Sequence, residues 1–85
     1  MSDVEIYTTP LCGYCLRAKR LLDLKGVEYR EIDVMLSAER RDEMIRRAGD
    51  HKVPKIFVDG ESIGGSDDLM MLEASGELDR KLGVA

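Results

Sequence analysis

The sequence of 85 residues predicts an α/β fold, in which a four-stranded mixed sheet carries helices on both faces. In the first half, segments with the two-residue repeat of a strand alternate with segments of helical spacing. A strand–helix–strand start joins parallel strands by a right-handed crossover. In the second half, two β-prone runs flank Asp59-Gly60, a signature of the two-residue hairpin that makes neighbouring strands antiparallel.

The elements are expected in the order β-α-β-α-β-β-α. Pro10 ends the first strand, because the residue before a proline avoids helical angles. Gly26 and Gly49 are expected at the ends of the first two helices, Ser37 at the start of the second, and Ser66 or Asp67 at the start of the third. The expected elements are strand 3–9, helix 13–25, strand 27–34, helix 38–48, strands on either side of residues 59–60, helix 66–75 and a last helical segment that ends near residue 83.

The second helix has a predicted buried face at Met44, Ile45 and Ala48. Arg41 lies one turn before this face, so it is expected on or beside the inward side. The alternative is an exposed surface arginine, which is the commoner environment of this residue type.

Composition narrows the class of protein. One domain, residues 1–85, is expected from the length. The net charge of −4 argues against nucleic acid as a partner, and no apolar run approaches the roughly 18 residues that a membrane span requires. The N-terminus lacks the basic and apolar regions of a signal peptide. Because two cysteines are too few for a secreted disulfide framework, a cytoplasmic location is expected.

Both cysteines lie in "TTPLCGYC", as Cys12 and Cys15, at the predicted start of the first helix. Unpaired backbone N–H groups and the helix dipole stabilise a thiolate there. The thiolate is the nucleophile of disulfide exchange. Cys15 lies one turn further along the same helix face, where apolar surroundings favour the protonated thiol. The spacing therefore predicts an attacking thiolate at Cys12 and a resolving thiol at Cys15.

Three other interpretations of the cysteine pair are open. A structural disulfide across so short a loop gains about 2 kcal/mol or less and does not suit a reducing compartment. A zinc site needs four ligands, and His51 is the only other soft ligand in the chain. Two buried inert cysteines would have apolar neighbours on both sides instead of a Pro-Leu entry and a helix start.

Two further motifs accompany the cysteine pair. Val53-Pro54 precedes the third strand, and "GGSDD" opens the third helix at residues 64–68. These three motifs, in this order and over nearly the whole chain, resemble a glutaredoxin of the small bacterial dithiol kind. The resemblance implies a thioredoxin-like fold. It also implies Cys12 as nucleophile and Cys15 as resolving thiol.

The resemblance further implies a glutathione site. Tyr14 would flank it, and the backbone of Val53, before a cis Pro54, would pair with the cysteinyl unit of glutathione. The γ-glutamyl end would be received where the third helix starts, by Gly65, Ser66 and Asp67. The glycyl carboxylate would be bound by Arg41. This role would explain a charged residue on or beside the inward side of the second helix, because the charge would face a ligand carboxylate.

The sequence departs from the family pattern at two positions. Gly13 stands where the family usually has proline, and Thr9 where it usually has lysine. The second departure removes a positive charge near the thiolate and the glycyl carboxylate. Lys52 and Lys55, which flank Val53-Pro54, are the candidates to replace that charge.

The expected function is a glutathione-dependent thiol–disulfide oxidoreductase, whose partners are glutathione and glutathionylated or disulfide-bonded proteins. One alternative is an iron–sulfur carrier, in which Cys12 from each of two subunits and two glutathiones hold a [2Fe–2S] cluster. In that case a monomer would become a cluster-bridged dimer. Another alternative is a thioredoxin-like electron carrier, but the chain has Leu11 where the thioredoxin pattern has tryptophan.

Overall fold

The computed structural model describes residues 2–84. The strands lie across the sheet in the order β2-β1-β3-β4. β1 pairs in parallel with β2, whereas the β1–β3 and β3–β4 pairs are antiparallel. The predicted four-stranded mixed sheet is therefore confirmed. The elements are β1 (Val4–Thr8), α1 (Gly13–Leu24), β2 (Arg30–Asp33), α2 (Ala38–Ala48), β3 (Lys55–Val58), β4 (Glu61–Gly64), α3 (Ser66–Ser75) and α4 (Glu77–Leu82).

The sheet separates two apolar clusters, which confirms helices on both faces. On one face, α1, α3 and α4 cover β1 and β3, and on the other α2 packs over the sheet. The first cluster consists of Val4, Ile6, Ala18, Leu22, Ile56, Val58, Leu69, Leu78 and Leu82. The second, smaller cluster consists of Tyr7, Val34, Met44 and Phe57. Because β1 is central, its side chains are buried on both sides of the sheet.

Most of the predicted turns and caps are confirmed. Asp59 and Gly60 have φ angles of 52° and 83°, and a type I′ hairpin requires positive φ at both positions. The Ser37 hydroxyl accepts the N–H of Arg40 at 3.2 Å, and Gly49 ends α2 with a φ of 86°.

The predicted cap of the third helix is wrong. Ser66 and Asp67 already belong to the first turn of α3, and Gly65 is the capping residue. The Asp68 carboxylate reaches back instead and accepts the N–H of Gly65 at 2.9 Å. This contact is one half of a capping box. The motif "GGSDD" contains Asp67 and Asp68 side by side, and the sequence did not show which of them reaches back to the start of the helix.

The predicted second strand is too long at its start. β2 begins at Arg30, because its pairing with β1 runs only from Glu5–Arg30 to Thr8–Asp33. Val27 and Tyr29 lie outside the strand but still pack against the larger cluster. The apolar–polar alternation at Val27 and Tyr29 therefore reflects the burial of these side chains and not hydrogen-bonded pairing with β1.

A core substitution on α1 tests the larger cluster. Leu22 is fully buried, whereas Leu24, two residues on, is 84% exposed. Leu22→Ala should lower the free energy of unfolding by about 2–5 kcal/mol, because the cavity adds to the lost transfer energy. Leu24→Ala should change it by less than about 0.5 kcal/mol. Urea unfolding followed by circular dichroism measures both, and equal effects would contradict the assignment of the buried face.

Candidate active site

The loop between β1 and α1 brings Cys12 to one edge of the sheet. β1 ends at Thr8 and α1 begins at Gly13, so the cysteine lies on a short loop at the end of the central strand. Leu11, just before it, has a φ of 59°. A non-glycine residue in this left-handed region costs on the order of 1–2 kcal/mol. The loop thus holds a strained residue directly before the nucleophile candidate.

Cys12 is the capping residue of α1. Its backbone is extended, and its Sγ atom accepts the N–H of Cys15 at 3.2 Å. The sulfur therefore satisfies a backbone donor of the first turn and lies at the positive end of the helix dipole. Gly13 has a backbone N–H that a proline at this position would lack. The N–H that reaches the Cys12 sulfur is nevertheless that of Cys15 and not that of Gly13.

Cys15 lies in a different environment from Cys12. Its side chain is buried, at 1% exposure, while Cys12 is partly exposed. Burial, followed by the hydrogen bond with Cys12, raises the pKa of the Cys15 thiol to about 11. The thiol therefore stays protonated at neutral pH. The structure places the two sulfurs in the environments that the sequence predicted, one accessible and one buried.

A groove of about 680 Å³ opens beside the start of α3. We call it the Pro54 groove. The structure brings six of the predicted binding residues together in its lining: Tyr14, Val53, Pro54, Gly65, Ser66 and Asp67. The lining also includes Asp50, His51, Lys52, Lys55 and Asp68. The Val53–Pro54 peptide bond is cis, as the resemblance implied. A Cβ atom at Gly65 would lie 3.3 Å from the carbonyl oxygen of Pro54. The lack of a side chain at Gly65 therefore allows the start of α3 to approach the Pro54 backbone closely.

The α3 end of the Pro54 groove offers unsatisfied polar groups. Ser66 is buried, and its Oγ atom has no hydrogen-bond partner among residues 2–84. Buried hydroxyls are rarely left unpaired in folded proteins. The first turn of α3 also presents backbone N–H groups, which attract a carboxylate. Asp67, which is exposed at the same turn, can meet an ammonium group.

The positive charges of the Pro54 groove are not equivalent. Lys55 is 8% exposed at its side chain and forms an ion pair of 2.8 Å with Asp50. Lys52 is exposed and makes no ion pair within the described residues. Of the two lysines proposed from the sequence, Lys52 is therefore the one available to a ligand. Sequence reasoning missed Asp50, and treated His51 only as a metal ligand, although both lie next to Val53-Pro54.

Arg41 does not line the Pro54 groove. Its side chain is exposed, and the predicted position on or beside the inward side of α2 is wrong. Met44 is the one fully buried residue of this helix. The buried stripe is too narrow to extend one turn back to Arg41, and a charged side chain remains hydrated there. The binding role that the resemblance gave to Arg41 stays a prediction.

A second groove, of about 590 Å³, is lined by both cysteines. We call it the Leu11 groove. It contains a pair that the sequence did not predict, in which the Glu31 carboxylate accepts from Lys19 at 2.9 Å and from the Thr8 hydroxyl at 2.8 Å. The Lys19 hydrogen bond lowers the pKa of Glu31, and Glu31 raises the pKa of Lys19. The lining consists of Thr8, Thr9, Pro10, Leu11, Cys12, Gly13, Cys15, Leu16, Lys19, Glu31 and Asp33.

Two kinds of feature are absent from residues 2–84. No helix in this range has the length and apolar character needed to cross a membrane. The same residues contain no cluster of three or more His, Cys, Asp or Glu side chains arranged to hold a metal ion.

A four-stranded mixed sheet with a capping cysteine and a buried partner one turn away defines a thiol oxidoreductase of the thioredoxin-like class. The glutaredoxin family profile matches residues 4–63. The chain belongs to the glutaredoxin family.

Relatives of known identity agree with this assignment. Glutaredoxin 3 of Escherichia coli K12 is 52% identical over 79 residues, which are 93% of this chain and 95% of that protein. The solution structure of glutaredoxin from Brucella melitensis is 49% identical with a TM-score of 0.84, covering 96% of this chain and 89% of that one. A buckwheat glutaredoxin–glutathione complex is 28% identical with a TM-score of 0.88, covering 96% and 77% of the two chains.

The difference between the two thiols can be measured by alkylation. At pH 7, iodoacetamide should modify Cys12 and leave Cys15 unmodified, because a thiol with a pKa of about 11 is ionised in only about one molecule in ten thousand. Modification of Cys15 should rise steeply as the pH approaches 11. Peptide mass spectrometry of the reduced protein gives both extents. The Cys12→Ser variant is the control, because it shows whether Cys15 is labelled when the modified Cys12 cannot block access to it. Equal labelling of both cysteines in the wild-type protein at pH 7 would contradict the assignment.

Proposed function

We propose that this protein is a glutathione-dependent thiol–disulfide oxidoreductase, which reduces protein–glutathione mixed disulfides and protein disulfides. The observation that carries the proposal is the pair of unlike thiols, accessible Cys12 at the start of α1 and buried Cys15 one turn further. Membership of the glutaredoxin family supports a thiol oxidoreductase. The likeness to a buckwheat glutaredoxin–glutathione complex supports glutathione as the co-substrate.

The proposed reaction on a glutathionylated protein has two exchanges. The Cys12 thiolate attacks the glutathionyl sulfur, a bond forms between these two sulfurs, and the protein cysteine leaves as a thiolate that takes a proton from water. A second glutathione, as thiolate, then attacks the glutathionyl sulfur on Cys12. This step releases oxidised glutathione and restores the Cys12 thiolate.

A protein disulfide follows a second route in this proposal. Cys12 attacks one sulfur of the target and forms a mixed disulfide with it. Cys15 then loses its proton to water and attacks the Cys12 sulfur. The bond between Cys12 and the target sulfur breaks, the target leaves as a thiolate that takes a proton from water, and Cys12 and Cys15 are joined as a disulfide. Two glutathione molecules reduce that disulfide. The high pKa of Cys15 in the reduced protein keeps it from competing with Cys12 for the first attack.

The Pro54 groove suits the three parts of glutathione. The unpaired Ser66 hydroxyl and the N–H groups of α3 would bind the γ-glutamyl carboxylate, while Asp67 would bind its ammonium. The backbone of Val53 would pair with the cysteinyl unit, and the ring of Tyr14 would border it. This leaves the glycyl carboxylate to a cation, and Lys52 is the lysine in the lining that no described carboxylate occupies.

The other expected properties remain predictions. A [2Fe–2S] cluster would need a second subunit and two glutathiones, because the described chain supplies only one accessible thiol. A role as a thioredoxin-like carrier is disfavoured by the family assignment. The cytoplasm is the proposed location, since an exposed reactive thiol remains reduced there.

Substitution of each cysteine tests the proposed roles. Cys12→Ser should abolish the reduction of a glutathionylated protein, because the attacking sulfur is missing. Cys15→Ser should retain that activity and lose the reduction of a protein disulfide. The assay couples oxidised glutathione to its reductase and measures both substrates. Retained activity in Cys12→Ser, or loss of both activities in Cys15→Ser, would sink the proposal.

The cation that binds the glycyl carboxylate can be identified by a chemical cycle. Lys52→Ala should raise the KM for glutathione about three- to tenfold, the range expected for one partly solvated charge contact. It should have little effect on the KM for glutathione whose glycyl carboxylate is an ethyl ester. Arg41→Ala tests the competing assignment from the family resemblance, and the proposal for Lys52 expects it to leave both values unchanged. The opposite order, an effect in Arg41→Ala alone, would return this role to the residue that the family resemblance implied.

A further inference from the structure

The Leu11 groove reaches the buried thiol of the cysteine pair. Cys15 is 1% exposed, yet it lines this groove together with Cys12. When Cys15 attacks Cys12 on the proposed route for protein disulfides, which we call the resolving step, it must first become a thiolate while it stays buried. Burial disfavours a charge that has no partner. The resolving step therefore needs a group near Cys15 that stabilises negative charge.

Lys19 is the single cation among the described residues that line the Leu11 groove. It lies four residues after Cys15 in α1, and residues with this spacing are neighbours on one face of a helix. Thr9, which stands where the family usually has lysine, lines the same groove without a charge. In this groove, a cation for the buried sulfur therefore comes from α1 and not from the loop that carries Cys12.

The Lys19 side chain is held beside the groove by the sheet. Its ammonium donates to the Glu31 carboxylate at 2.9 Å, and the Thr8 hydroxyl donates to the same carboxylate at 2.8 Å. Thr8 is buried at the end of the central strand, so its hydroxyl ties Glu31 to a fixed part of the structure. The Lys19 side chain is only 27% exposed. Its charge is thereby kept at the wall of the groove instead of moving freely in solvent.

The surroundings of Cys15 act on its ionisation in opposite directions. Burial and the hydrogen bond with Cys12 raise the pKa of the Cys15 thiol, whereas the Thr9 backbone and the charge of Lys19 lower it. The hydrogen bond with Glu31 raises the pKa of Lys19, so the lysine keeps its positive charge at neutral pH and above. The cation is therefore present throughout the pH range in which the enzyme would work.

The other titratable groups near Lys19 do not supply a positive charge. Asp33 lines the Leu11 groove, but its carboxylate accepts the N–H groups of Met35 and Leu36 in the turn after β2. Tyr29 lies near enough to Lys19 to interact with its charge, and burial, together with Asp23, raises the pKa of the Tyr29 phenol. This phenol is therefore neutral at neutral pH. Lys19 is the group whose charge favours a thiolate at Cys15.

We propose that Lys19 stabilises the Cys15 thiolate during the resolving step, and that Glu31 and Thr8 position its ammonium for this role. The inference rests on the proposed function, in which Cys15 attacks the Cys12 sulfur. As the Cys15 proton passes to water, the ammonium balances the negative charge that forms on the sulfur. When the bond between the two cysteine sulfurs forms, this negative charge leaves with the thiolate of the target.

Reaction with dipyridyl disulfide, an uncharged chromogenic disulfide, isolates the resolving step. The Cys12 thiolate attacks one sulfur of the reagent and releases a first pyridinethione at a rate proportional to the reagent concentration. The Cys15 thiolate then attacks the Cys12 sulfur of this mixed disulfide and releases a second pyridinethione at a rate independent of that concentration. Stopped-flow absorbance separates the two phases, and Cys15→Ser should show the first phase alone.

Substitutions of the ion pair should change the second phase in opposite directions. Lys19→Met should slow it about threefold between about pH 7 and 9, because loss of the cation raises the pKa of Cys15, while the greater nucleophilicity of a more basic thiolate offsets part of the effect. Glu31→Gln keeps an acceptor oxygen for Lys19 and Thr8 but removes the negative charge, so it should accelerate this phase about twofold. A merely structural ion pair predicts the same direction in both variants, since each substitution weakens it.

Two further variants serve as controls. Lys19→Arg preserves the charge and should keep the second phase within about twofold of wild type. Arg20→Met also removes a positive charge from α1, but Arg20 is exposed and lines neither groove, so this variant should leave the second phase unchanged. Thermal unfolding checks that every variant is folded, and Lys19→Gln replaces Lys19→Met if that variant is not.

The outcomes separate this inference from the proposed function. A wild type that releases only one pyridinethione would refute the dithiol route of the proposed function, and with it the role of Lys19. Two releases with an unchanged second phase in Lys19→Met would overturn the role of Lys19 alone. A change in the same direction in Lys19→Met and Glu31→Gln would also overturn it, and would assign the pair to folding.

Discussion

The burial of β1 on both faces is the constraint on which the site depends. This strand has β2 on one side and β3 on the other, and it contributes to both apolar clusters. Its polar atoms are satisfied in place: the Tyr7 hydroxyl donates to Glu43 at 2.6 Å and accepts from Arg47 at 2.7 Å. A strand fixed from every direction ends at a defined point, and the loop that follows places Cys12 at the sheet edge.

The chemistry then arises within a single helical turn. Cys12 and Cys15 are three residues apart, yet the first caps the helix and the second lies under it. Cys12 remains accessible at the helix start, while burial raises the pKa of the Cys15 thiol. Two identical side chains thereby acquire different environments within one helical turn.

Local signals in the sequence predicted much of this structure. The turn at Asp59-Gly60 and the caps at Ser37 and Gly49 depend on neighbouring residues alone, and all three are confirmed. The family resemblance added the cis bond before Pro54. The order of the elements, which was also predicted, brings Tyr14, Val53-Pro54 and the start of α3 together in the Pro54 groove, whereas both cysteines line the Leu11 groove.

The features that the sequence did not predict depend on how the folded chain arranges its side chains in space. Nothing local shows that Lys55 is occupied by Asp50, that Glu31 joins Lys19 and Thr8, or that the narrow buried face of α2 leaves Arg41 in solvent. The capping role of Asp68 was not predicted for a different reason: "GGSDD" contains three adjacent side chains that can each accept a backbone N–H at the start of a helix.

The ion pair between Lys55 and Asp50 has a consequence for the entropy of binding. It joins the start of β3 to the loop that precedes Val53-Pro54, and the Lys52 N–H donates to the same Asp50 carboxylate at 2.9 Å. One side of the Pro54 groove is thus fastened before any ligand arrives. Binding costs free energy whenever a flexible wall must be ordered. The wall that contains Lys55 and Asp50 is therefore pre-organised, and a ligand that enters this groove does not have to order it.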